Sequence, residues 1–171
     1  MFIDETGFKL SPSVEHTWAR RGQTPVVKRS LRRDTLNVIG AVTSSGQFLS
    51  KTHECNVRQP QIAQFLSHVL DWVAGPIIVL WDGASIHNVS NAVAEFMESS
   101  YGGRILECIK FPSYAPELNP AELAWRWLKS QGVGNRSPSS LKELKQLWRK
   151  ARRKFKNQVD VLALIRHALG A

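Results

Sequence analysis

The chain has 171 residues, 43% of them apolar and 22% charged, which suits one domain with a sizeable core and a helical extension and excludes wholesale disorder. Twenty-three Lys and Arg stand against 14 Asp and Glu, and the resulting charge of +9 favours nucleic acid or another anionic surface as partner. A membrane span, a signal peptide and a cysteine framework are all excluded. The best apolar run, Ile77 to Trp81, falls far short of the about 20 residues a spanning helix needs. Met1-Phe2-Ile3-Asp4-Glu5 meets two acids at once, and Cys55 and Cys108 form no C-x-x-C pattern, so a reducing cytoplasm is the expected compartment.

Phe2-Ile3-Asp4 reads as the end of a strand. Residues 5–35 read as irregular, broken by Gly7, Pro12, Gly22 and Pro25. Leu36–Thr43 and Gln47–Glu54 read as a hairpin around Ser44-Ser45-Gly46. Ile62, Phe65, Leu66, Val69, Leu70 and Val73 make one helical stripe, which Gly75-Pro76 stops. Ile77–Trp81 is wholly apolar, as expected of a strand buried on both faces. A second helix carries Val89, Ala92, Val93, Phe96 and Met97 on one face. Ile105–Phe111 reads as a further strand. A Pro-rich loop, 112–120, leads to a helix over about 120–130, and two more helices are predicted near 140–156 and 158–169. This order implies a mixed α/β sheet flanked by helices.

Three acids fall where such sheets place their sites, near strand ends. Asp4 ends the first predicted strand, Asp82 follows the buried one, and Glu122 lies in the first turn after the Pro-rich loop. Carboxylate oxygens suit Mg²⁺ or Mn²⁺. Two such ions about 3.5–4 Å apart can activate water for phosphodiester cleavage. Each acid also has a plainer account. Asp4 alone reads as a turn cap or an arginine's partner. Asp82-Gly83 is a common turn pair, although a carboxylate directly after five apolar residues sits near low dielectric. Asn119, Pro120 and Glu122 make a capping-box-like helix start, and Glu117 in the loop competes with Glu122 as third ligand.

Four blocks, in order, carry a resemblance: 2–8 (Phe-Ile-Asp-Glu-Thr-Gly-Phe), 17–25 (Thr-Trp-Ala-Arg-Arg-Gly-Gln-Thr-Pro), 82–87 (Asp-Gly-Ala-Ser-Ile-His) and 114–125, with Leu118-Asn119-Pro120-x-Glu122-x-x-Trp125 the most specific. Together they resemble the catalytic domain of mariner-superfamily transposases, above all the bacterial insertion-sequence branch of DDE superfamily endonucleases. The resemblance covers about residues 1–130 and extends to the tail. It implies a ribonuclease-H-like catalytic domain over 1–135, with basic C-terminal helices over 136–171 packed on it. It also implies two Mg²⁺ or Mn²⁺ ions on Asp4, Asp82 and Glu122, hydrolytic DNA cleavage at transposon ends, and attack of the freed 3′-hydroxyl on target DNA. The acid after Asn-Pro-x is the family's third, which selects Glu122 over Glu117. A homodimer is a further implication.

Three departures stand out. The 39 residues between Asp82 and Glu122 exceed the family's usual spacing, with the insertion expected around Ser99–Glu107. Gly83 replaces a common Asn. The family's N-terminal helix-turn-helix region is expected to be absent from this chain and left to a separate chain.

His87, five residues after Asp82, matches a His common in the family. It reads equally as a contact to the scissile phosphate, an orienter of Asp82, or a solvent-facing turn residue. Arg20, Arg21, Lys28, Arg29, Arg32 and Arg33 crowd one segment that resembles a DNA-contacting clamp loop, with Trp18 as a candidate anchor. The predicted helix near 140–156 carries Leu141, Leu144, Trp148, Ala151 and Phe155 on one face, and Ser140 and Glu143 form a capping box. Its other face holds eight bases, among them Lys145, Arg149, Arg152 and Arg153, which read as phosphate contacts with steep salt dependence. Two rival readings are an inactive DNA-binding remnant and a different ribonuclease-H-like nuclease.

Overall fold

The computed structural model describes residues 1–11, 16–26, 32, 34–82, 92–112 and 115–170. Five strands form one mixed sheet: β1 (Phe2–Lys9), β2 (Thr35–Val42), β3 (Phe48–His53), β4 (Ile77–Trp81) and β5 (Ile105–Lys110), in the order β3-β2-β1-β4-β5. The β2–β3 hairpin is antiparallel, and β4 runs parallel to both β1 and β5. The expected mixed α/β sheet flanked by helices is therefore present.

The apolar stripe over 62–73 forms α1 (Gln59–Trp72), which buries Ile62, Phe65, Leu66, Val69 and Leu70. These side chains join Ile3, Ile39, Ala41, Ile77, Val79, Trp81, Val93 of α2 (Ala92–Glu98) and Ile105 in one core. Leu70 O, one of the last carbonyls of α1 that no helical N–H can reach, accepts from the Arg104 guanidinium at 2.9 Å, as do Val73 O and Gly75 O just beyond the helix.

Two expectations are corrected. The first strand does not end at Asp4 but runs to Lys9. Buried Phe8 anchors its later half, and buried Leu10, just past its end, donates its backbone N–H to Asp34 O. Nor is β4 buried on both faces: Ile77, Val79 and Trp81 point into the core, whereas Ile78 is 43% exposed.

The chain divides into two compact units. The first holds 1–6, 37–124 and 160–171, with the core above and α5 (Val161–Leu169), whose N-terminus Asp160 caps by accepting from Leu162 N at 3.0 Å. The second holds 7–36 and 125–159, with the last turn of α3 (Pro120–Trp127), a π-helical turn over Leu128–Val133, and α4 (Leu141–Gln158). Its core is aromatic: Trp148 packs on Phe8 and Trp125, with centroids 5.0 and 6.3 Å apart, and Phe155 on Trp127 at 5.4 Å. Trp125 and Trp127 are thus packing residues.

The start of α4 follows the expected capping box with one change. Ser140 Oγ accepts from Glu143 N at 3.3 Å, but Glu143 reaches back to Ser139 rather than to Ser140, accepting from Ser139 N at 2.7 Å. In the π-helical turn, a Cβ on Gly132 would lie 2.4 Å from the Ala151 Cβ. Gly132→Ala is therefore expected to cost about 1–3 kcal/mol in urea melts. Adding Ala151→Gly recovers part of that loss, giving a favourable coupling in the double-mutant cycle.

Candidate active site

Sheet order brings two of the acids level. β1 and β4 are parallel neighbours with Phe2 opposite Leu80. Carrying that register forward two residues sets Asp4 opposite Asp82. β4 stops at Trp81 while β1 continues, so Asp82 lies at a strand end although Asp4 does not.

The third acid arrives from the far side of the sequence. Asn119 Oδ1 accepts from Ala121 N at 3.1 Å, which caps α3, and Glu122 N donates to Asn119 O at 3.0 Å. Pro120 at the first helical position needs no donor there. Glu122 therefore sits in the first turn, where the helix dipole favours a carboxylate. Glu117 lies in the preceding turn, Pro116–Leu118, and is exposed.

Asp4 is the buried acid of the three, and the charges of the other two reach it. Asp4 is buried, only 6% exposed. Burial, followed by the charges of Glu122 and Glu5 and then of Asp82, pushes its pKa up to about 7, with a backbone hydrogen bond at Glu5 opposing the rise. Asp82 and Glu122 are themselves exposed. Among the described residues no three His, Cys, Asp or Glu side chains close on one point as a finished metal cage. The donor set is nonetheless all carboxylate, and its buried member, Asp4, feels like charges that a divalent cation would offset. It fits a hard ion such as Mg²⁺ or Mn²⁺.

The raised pKa fixes a sign. Folded Asp4 holds its proton up to about pH 7, whereas the unfolded residue releases it near 3.8. The folded state thus binds more protons between those values, and metal-free stability falls as pH rises through that window. Between pH 5 and pH 8, in chelator, the wild type is expected to lose about 2–3 kcal/mol relative to Asp4→Asn, read by urea denaturation.

The other predicted residues are more scattered. Arg20 and Arg21 are exposed beside fully exposed Trp18. Arg32 is exposed and pairs with Asp34 at 3.2 Å. Lys28, Arg29, Arg33 and His87 lie outside the described residues. On α4, Arg149, Arg152 and Arg153 are exposed and Lys145 is half-buried. At 100° per residue these four fall on one stripe that flanks the buried stripe of Leu144, Trp148, Ala151 and Phe155. Lys154 lies off that stripe, its ammonium 5.7 Å over the Trp127 ring. Among the described residues no helix is long and apolar enough to cross a membrane.

The sequence missed one residue of the site. Asn119 is read from sequence as a helix cap only. In the structure its Nδ2 also donates to Ile3 O, 3.3 Å away, across 116 positions of chain. An amide at a cap, where Ser or Asp would serve, is the only local sign of that second bond.

A family model described as DDE superfamily endonuclease matches residues 1–145. No curated protein sequence matches the chain. Solved structures of Mos1 transposase match closely in fold. The Mos1 strand transfer complex aligns with a TM-score of 0.66 and 17% identity, over 98% of this chain and 50% of that one. The Mos1 mariner paired end complex with Mn aligns at 0.64 and 17%, over 99% and 51%. The isolated catalytic domain of Mos1 aligns at 0.60 and 13%, over 98% and 75%. The chain thus spans about half the length of the Mos1 chains in the DNA complexes. These alignments show the expected ribonuclease-H-like fold.

Proposed function

The chain belongs to the DDE superfamily endonucleases, and from that premise we propose that it is the catalytic part of a mariner-like transposase, cleaving DNA at transposon ends and joining the freed 3′-hydroxyl to target DNA. The observation that carries this reading is the buried carboxyl of Asp4, level with Asp82 across the β1–β4 pair, its proton affinity raised by burial and then by the charges of Glu122, Glu5 and Asp82. A buried carboxylate among like charges is costly unless a cation offsets them. Asp4, Asp82 and Glu122 would hold two Mg²⁺ or Mn²⁺ ions. When bound, such ions activate water or the 3′-hydroxyl and stabilise the leaving oxygen. Asp4 supplies a ligand fixed on a strand and shielded from solvent. Asp82 and Glu122 are exposed and so open to a DNA strand. No side chain need form a covalent link to DNA.

Residues 1–135 carry the chemistry in this reading. The α4 stripe, Lys145, Arg149, Arg152 and Arg153, holds DNA backbone within the basic extension 136–171. Arg20, Arg21, Lys28, Arg29, Arg32 and Arg33 form a second contact, with Trp18 as anchor, and His87 serves the scissile phosphate or Asp82. The Mos1 complexes pair transposon ends, and a homodimer of this chain would do the same. The insertion-sequence resemblance supports a bacterial cytoplasm, on the nucleoid, as the place of this work.

The test is Mn²⁺-dependent nicking of supercoiled plasmid. Wild type nicks, whereas Asp82→Ala does not but still binds DNA. Glu122→Ala is as severe, and Glu117→Ala stays within about tenfold of wild type, the scale of losing a residue beside the site rather than a ligand. DNA binding without nicking by the wild type would favour an inactive remnant. Cleavage confined to RNA–DNA hybrid would favour a different nuclease.

A further inference from the structure

We propose that Asn119 is a positioning residue that sets the spacing between the carboxylates of Asp4 and Glu122. The inference rests on the reading of those two acids as metal ligands. Asn119 is 3% exposed and ties down both of their backbones. Its Nδ2 donates to the carbonyl of Ile3, the peptide that leads directly into Asp4, at 3.3 Å. Its Oδ1 accepts from Ala121 N at 3.1 Å, and its main-chain oxygen accepts from Glu122 N at 3.0 Å. One short planar group therefore joins the strand of the first acid to the helix turn of the third.

The chemistry of the side chain is specific to this task. A primary amide offers a donor and an acceptor on one rigid plane. Asp has the same shape but no donor. Ser caps a helix as well as Asn does, but its hydroxyl is shorter. Gln adds a methylene and would push the helix start away from β1. A metal site needs each metal–ligand distance to fall within about 0.2 Å of its standard value, so the backbones that carry two ligands must be held in place. Loss of a group that orients such ligands typically costs 10–100-fold in metal affinity.

The experiment measures Mn²⁺ binding to the intact chain, without DNA, by titration calorimetry well below every melting temperature. Asn119→Ser keeps a cap oxygen and loses the tie to Ile3. Its Kd for Mn²⁺ is expected to rise about 10–100-fold, close to that of Asn119→Ala. Ser140→Ala removes the cap of a different helix, α4, and should lower the melting temperature while leaving Mn²⁺ binding unchanged. Equal Mn²⁺ affinity in Asn119→Ser and wild type overturns the positioning role, as does weakened binding in Ser140→Ala. A wild type that binds no Mn²⁺ overturns the metal reading itself, and this inference with it. If Asn119→Ser does not fold, Asn119→Asp replaces it. Its added charge alone would tighten Mn²⁺ binding, so weaker binding supports the tie, and equal or tighter binding overturns it.

Discussion

Asp4→Asn is expected to cut Mn²⁺-dependent nicking by roughly 10³-fold, the scale of removing a preorganised group at a reacting centre, while leaving plasmid affinity within about twofold. The same substitution should strengthen the metal-free fold. At pH 8 the wild type holds a buried carboxylate whose pKa has been pushed up to about 7 from 3.8. A neutral amide of the same shape removes that penalty, worth at most about 4 kcal/mol. The two readouts move in opposite directions, and no damaged fold can imitate that. A gain in stability with nicking intact would show that Asp4 is buried for some purpose other than catalysis. Stability and activity trade against each other wherever like charges are gathered for a cation.

The second large effect concerns DNA affinity. Arg149→Gln, Arg152→Gln and Arg153→Gln together should reduce the slope of log Kd against log salt by about 2.7, since each phosphate contact contributes about 0.9. All three side chains are exposed on α4, so folding stability should stay within about 0.5 kcal/mol. Fluorescence anisotropy with a duplex at several salt concentrations reads the slope. An unchanged slope would mean that the stripe is only a solvated face. Deleting the tail is a poorer test, because Leu144, Trp148, Ala151 and Phe155 of α4 are core residues.

What the sequence reveals follows the range of the forces involved. The stripe of α1 and the run of β4 are legible because helical period and continuous apolar character are local. The caps at Asn119 and Ser140 are legible for the same reason. The extension of β1 to Lys9 is not, since Glu5-Thr6-Gly7 looks like a break and the anchors that prolong the strand are tertiary. The π-helical turn after α3 is equally hidden: the spacing predicts continuous helix to about Ser130, whereas Gly132 lies hard against Ala151. Spacing leaves the choice of acids open at Glu117 and Glu122. Only resemblance to a family motif selects Glu122, and Glu122 is among the charges that act on Asp4. The bond from Asn119 to Ile3 could not have been read locally at all.

The division of the chain into two interleaved units bears on how such a gene can decay. The unit that holds the three acids is assembled from 1–6, 37–124 and 160–171, and the other unit fills the gaps. No single cut in the chain releases the first unit whole. A premature stop that removes only the last dozen residues leaves every acid encoded yet strips α5 from their unit. Folding must also wait for the final segment, because long-range closures are paid for before their contacts form. A shortened copy is thus expected to lose its fold before its chemistry, so that loss of function in this architecture tends to be complete rather than graded.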